Sequence, residues 1–70
     1  MSAEMGFSEH DVVRFTADVT DAAGKRATAG QTGTIVSVYP HGAFLVELSG
    51  ATSREGLVEA PGAVLERVDS

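Results

Sequence analysis

Apolar residues along this chain come in short alternating runs, separated by clusters of Gly, Pro, Ser and Asp. In Asp11-Val12-Val13-Arg14-Phe15, Val13 and Phe15 point one way and Val12 and Arg14 the other, as in a strand with one buried face. Thr34 to Tyr39 is rich in β-branched residues and predicts a second strand. Pro40 forces Tyr39 into extended geometry and presets the first turn position. Gly42 suits the left-handed position that closes a short bulged hairpin. Ala43 to Leu48 returns with Phe44, Val46 and Leu48 in phase and Glu47 on the opposite face. Gly30 and Gly33, just ahead of the hairpin, suit a tight turn and a close backbone approach.

Outside the hairpin the pattern is weaker. Ala17 to Ala29 has one large apolar residue, Val19, and reads as a long first loop, with Gly24 stopping any helix begun at Asp21-Ala22-Ala23. Ser49 to Ser53 is turn chemistry, and Arg54 to Ala60 predicts a fourth strand with Leu57 and Val58 buried and Glu55 and Glu59 in solvent. Pro61-Gly62 predicts a short 3₁₀ turn through Ala63 and Val64, and Leu65 to Val68 a closing edge strand. Residues 1–8 read as a loose arm, with Met5 and Phe7 able to touch the body, and residues 9–70 as one domain.

This order predicts an all-β fold, a small five-stranded SH3-like barrel. A sheet this short cannot cover its own face. Bending over itself buries Val13, Phe15, Val36, Val38, Phe44, Val46, Leu57, Leu65 and Val68 together. That phase leaves Ile35 on the outside.

Several stretches resemble the small bacterial domain of unknown function 4926: D-V-V-R-F at 11–15, G-x-x-G-T-I-V-S-V-Y-P at 30–40, V-E-L at 46–48, and V-E-A-P-G-A-V-L-E-R-V at 58–68. The resemblance covers roughly residues 11 to 68. It implies a compact SH3-like barrel and a family in which some members are encoded beside a second small protein, which suggests an antitoxin-like or accessory role. The residues that carry it are turn glycines, core aliphatics and the closing strand, which speak to fold more than to activity. The G-x-x-G-T-I-V stretch is also similar to the KOW-type barrels of ribosomal and transcription proteins and to the small SH3-like accessory subunit of photosystem I.

Composition narrows the function classes. With no cysteine, a disulfide framework, a thiolate zinc site and a cysteine nucleophile are excluded. Ten acidic residues against five basic ones give a net charge of −5, the opposite of the basic stripe that follows a nucleic-acid backbone. No apolar run approaches the ~20 residues of a membrane span. Met1 to Glu9 lacks the basic and apolar segments of a signal peptide, so a cytoplasmic location is expected.

Candidate chemistry is sparse. Glu9-His10-Asp11 is dense in ligand types, but three neighbours on a strand alternate sides, so at most two could chelate one ion, and no metal is expected. Gly30-Gln31-Thr32-Gly33 precedes a strand and lacks the Lys-Ser/Thr of a phosphate cradle, so no cofactor is expected. The carboxylates offer no distinguished acid–base pair, and no catalytic residue is assigned. The expectation that remains is a non-enzymatic module that binds another protein or itself, through Ile35, Tyr39 and Leu45 with Glu47 and Glu59 as acidic rim charges. The alternative is a KOW-like nucleic-acid surface built from Lys25, Arg26 and Arg54.

Overall fold

The computed structural model describes residues 7–50 and 56–68. Among these residues seven strands form: β1 (Val12–Phe15), β2 (Val19–Thr20), β3 (Arg26–Ala27), β4 (Thr32–Val38), β5 (Ala43–Leu48), β6 (Leu57–Pro61) and β7 (Leu65–Arg67), with a 3₁₀ turn at Gly62–Val64 between the last two. Five of them make one antiparallel sheet in the order β6-β5-β4-β1-β7. Among the described residues the sheet is open, with β6 and β7 as its edges. The fold is all-β, and it holds the expected hairpin, the 3₁₀ turn and the short last strand.

The central hairpin follows from its residues. Tyr39 N–H donates to the Ala43 carbonyl at 2.9 Å, and Gly42 N–H donates back to the Tyr39 carbonyl at 3.3 Å. Gly42 holds φ +86°, a region that β-branched residues resist. At the start of β4, Gly33 meets the β5 backbone: a Cβ built there would lie 2.6 Å from the Glu47 carbonyl oxygen and 2.6 Å from Val46 Cγ1.

The stretch expected to be a plain loop contains a second hairpin. Val19 pairs with Ala27 and Thr20 with Arg26. Asp21 N–H donates to the Lys25 carbonyl and Gly24 N–H to the Asp21 carbonyl, both at 2.9 Å, with Gly24 at φ +86°. The bond pattern is that of the 39–43 hairpin. Gly24 therefore closes a hairpin where a helix stop was expected. Asp18 Oδ1 accepts from Ala29 N–H at 2.9 Å and ties the base of this hairpin. The hairpin also sends Ala27 into the core.

The core is Val13, Phe15, Ala27, Ile35, Phe44, Val46, Val58, Ala60 and Leu65, with Phe7, Val19, Leu48 and Val64 packed against it. This corrects the phase expected for β4. Ile35 is 0% exposed while Val38 is 48% exposed, and Val36 is half-buried. Ile35 faces Val46, in phase with buried Gly33, and a β-bulge follows: Ser37 faces Leu45, so Val36 has no partner of its own. Val38, opposite Phe44, returns to the inner side but stands exposed at the end of the strand. β6 is corrected in the same way. Val58 and Ala60 are buried, and Leu57, like Val68 at the end of the chain, is only partly so.

A second irregularity lies ahead of β1. His10 N–H donates to the Ile35 carbonyl at 2.7 Å, and Ile35 N–H donates to the Asp11 carbonyl at 2.9 Å, so two residues oppose one. His10 takes φ +76° there, the only non-glycine residue with positive φ among those described. Phe7, just upstream, meets Phe44 edge-to-face at 5.4 Å between ring centres, with the Arg67 guanidinium 5.8 Å above its ring. The expected contact of Phe7 with the body is made; Met5 lies outside the described residues.

Candidate functional site

Strand pleating and register settle which of the expected contact residues share a surface, because directly opposed residues point to the same face. Val46 opposite Ile35 and Val58 marks the inner face. On the outer face Leu45 therefore stands between Ser37 and Glu59, and Glu47 between Thr34 and Leu57. Val12, opposite Thr34 and 44% exposed, extends the second of these rows. Leu45, Leu57 and Val12 are thus apolar residues on a face that also carries Glu47 and Glu59.

Tyr39 adjoins this face at the hairpin. Its ring stacks on that of His41, 6.1 Å between centres and 5° from parallel. His41 Nε2 in turn lies 3.9 Å from Glu59 Oε2. Pro40 sits between the two rings in sequence, and the tight turn at Gly42 brings them together.

Four of the five residues expected to form an interaction surface, Tyr39, Leu45, Glu47 and Glu59, therefore lie on or beside one face. Ile35 does not: opposite Val46 and in phase with buried Gly33, it lies in the core. Leu57, expected in the core, is partly exposed beside Glu47. Sequence reasoning placed it inside because Leu57-Val58 is a doublet and only one of two neighbours can face in.

The bases expected for nucleic acid are arranged otherwise. Lys25 is half-buried at the end of the Asp21 turn, Arg26 is exposed on β3, and Arg54 lies outside the described residues. Arg14 Nε donates to Glu66 Oε2 at 2.7 Å, and Arg67 lies 3.5 Å from the Asp11 carboxylate. Asp11 also accepts from Ser8 N–H at 2.9 Å, so the Glu9-His10-Asp11 cluster is a turn closed by its own aspartate. Phe7, Ser8, Glu9, His10 and Val38 line a shallow, open depression beside it.

One carboxylate has a role that sequence reasoning missed. Asp21 Oδ1 accepts from the N–H groups of Ala23 and Lys25 at 3.0 and 2.9 Å, while Oδ2 accepts from Glu59 N–H of β6 at 3.1 Å. The Glu59 bond, helped by the Lys25 and Ala23 bonds and the Lys25 charge and opposed by desolvation, holds the Asp21 carboxyl below its ordinary value. The legible signal was the Asp-x-x-Gly spacing of Asp21 and Gly24 after Val19-Thr20, which specifies a hairpin turn.

The family model of DUF4926, a domain of unknown function, matches residues 9–54. No curated protein and no solved structure matches the chain. The chain belongs to the DUF4926 family.

Proposed function

We propose that this DUF4926 domain is a non-enzymatic protein-interaction module of SH3-like barrel type, antitoxin-like or accessory in role, that binds through the outer face of its sheet. The strand order β6-β5-β4-β1-β7, the long first connection and the 3₁₀ turn before the last strand support the barrel description. One observation carries the functional reading. The register sets Leu45 beside Glu59, and Leu57 beside Glu47, on a single face bordered by the Tyr39–His41 stack. Partly exposed apolar side chains provide contact area, and the carboxylates around them steer a partner of opposite charge. The partner is a basic protein surface or a second copy that offers basic groups.

The test uses Leu45→Lys and Leu57→Lys, which place charge on the outer face and leave the core intact. Isothermal titration is run against the purified product of the adjacent gene, and sedimentation velocity on the protein alone. Association in either assay, lost in both variants while their unfolding midpoints stay near the parent's, supports the reading. A protein that stays monomeric and gives no heat with the neighbour's product contradicts it.

A further inference from the structure

Among the described residues no strand pairs with the edge of β6 turned away from β5, and that edge has a definite hydrogen-bonding face. In an antiparallel pair, residues alternate between those that bond to the partner strand and those whose N–H and C=O point away from it. Glu59 N–H is bonded to Asp21, so Glu59 is of the second kind. By the two-residue period Leu57 and Pro61 share its orientation, while Val58 and Ala60 bond to β5. Pro61 has no N–H to offer, as suits an edge strand. Leu57 and Glu59 thus form a short segment that presents backbone donors and acceptors outward. An edge of this kind is a template for pairing with another strand, and proteins blunt such edges with charge.

The Asp21 carboxylate occupies the position on Glu59 N–H that the carbonyl of an added strand would take. Its two oxygens divide the work: Oδ1 closes its own turn, and Oδ2 caps the edge. We propose that the β6 edge is a strand-pairing site for a second copy of this chain, and that Asp21 on the β2–β3 hairpin guards it. The second copy is the occupant because the segment is self-complementary. An antiparallel pair of β6 strands centred on Val58 sets Leu57 of one copy opposite Glu59 of the other, and the reverse, giving four backbone hydrogen bonds. This register needs no donor from Pro61. It also sets each Glu59 against a leucine, avoiding the like-charge contact that a register centred on Glu59 imposes. The site is distinct from the outer face, since it uses backbone groups at the strand edge.

The division of labour supplies the test. Asp21→Asn keeps one carbonyl oxygen for the turn and turns an NH₂ donor toward Glu59 N–H, which releases the edge. Asp21→Ser keeps a turn-closing oxygen on a side chain too short to reach β6, and carries the same expectation should the asparagine loosen the turn. Hydrogen exchange of the monomer is expected to show faster Glu59 exchange in these variants, with Ala23 and Lys25 still protected. Sedimentation equilibrium is expected to show a dimer at least tenfold tighter than any formed by the parent. In the Asp21→Asn background, Leu57→Pro, which deletes an outward N–H, abolishes this dimer, while Leu57→Ala and Leu45→Lys leave it. Unchanged Glu59 exchange in both variants overturns the capping role. Faster exchange without dimerisation, or a dimer that survives Leu57→Pro, overturns the pairing site.

Discussion

Asp21 and Glu59 lie 38 positions apart, and the carboxylate of the first accepts the backbone N–H of the second at 3.1 Å. This bond joins the β2–β3 hairpin to the far edge of the main sheet. It also determines how stability responds to acid. The folded state holds the Asp21 carboxyl below its ordinary value of 3.8. The contribution of the ionised group is therefore present above the unfolded pKa and is lost as pH falls through the folded one. Asp21→Asn, unable to make this contribution, is expected to flatten the acid limb of a stability–pH curve below about pH 4. Parallel acid limbs for parent and variant count against the bond.

Gly33 is required by close approach rather than by turn geometry. A methyl group at that position meets the Glu47 carbonyl oxygen and Val46 Cγ1 at 2.6 Å each. Gly33→Ala forces β4 and β5 apart and is expected to cost ~1–3 kcal/mol in urea unfolding, the usual range for overpacking. An unchanged midpoint excludes this strand approach.

Gly42 is required by its φ of +86°, with open space where a Cβ would stand. Gly42→Val is expected to lose ~1 kcal/mol or more, because the cost is local backbone strain. Gly42→Asn, which tolerates the left-handed region, loses less. Equal losses for the two contradict the turn.

His10 is the reverse case, a side chain held at φ +76°. Replacing it with glycine relieves the left-handed penalty, and His10→Gly is expected to raise stability by up to ~1 kcal/mol. A fall in the thermal midpoint argues against the bulge opposite Ile35.

Ile35 and Leu45 test the phase of the sheet. Ile35 is fully enclosed and Leu45 only half-buried on the other face. Ile35→Ala is expected to cost ~2–5 kcal/mol, as core truncations do, and Leu45→Ala well under half as much. Comparable losses mean that the two residues share one environment.

Much of this was legible in the residues. Alternation in Val12–Phe15 and Ala43–Leu48 gave their faces, and Pro40 with Gly42 gave the central turn, because these signals are local and strong. The phase of β4 was not legible. Val36 and Val38 fit the two-residue period as well as Ile35 does, and the bulge at Val36, which lets Ile35 and Val38 both stand on the inner side, depends on pairing with β5. The first hairpin was hidden for a related reason. Each of its strands is two residues long, too short for a period to register, although Asp21 and Gly24 already mark its turn. Of the candidate surface, Tyr39, Leu45, Glu47 and Glu59 were found from alternation, whereas the cap at Asp21 arises only from tertiary contact.

The outer sheet face is the proposed meeting place of this domain with a protein. Amide chemical-shift mapping addresses it directly, with the labelled domain followed first by concentration and then on addition of the adjacent gene's product. Shifts are expected to gather at Tyr39, Leu45, Glu47, Leu57 and Glu59, and to be absent in Leu45→Lys. Shifts confined to the exposed Arg26 and the Asp21 turn, or none in either titration, contradict it.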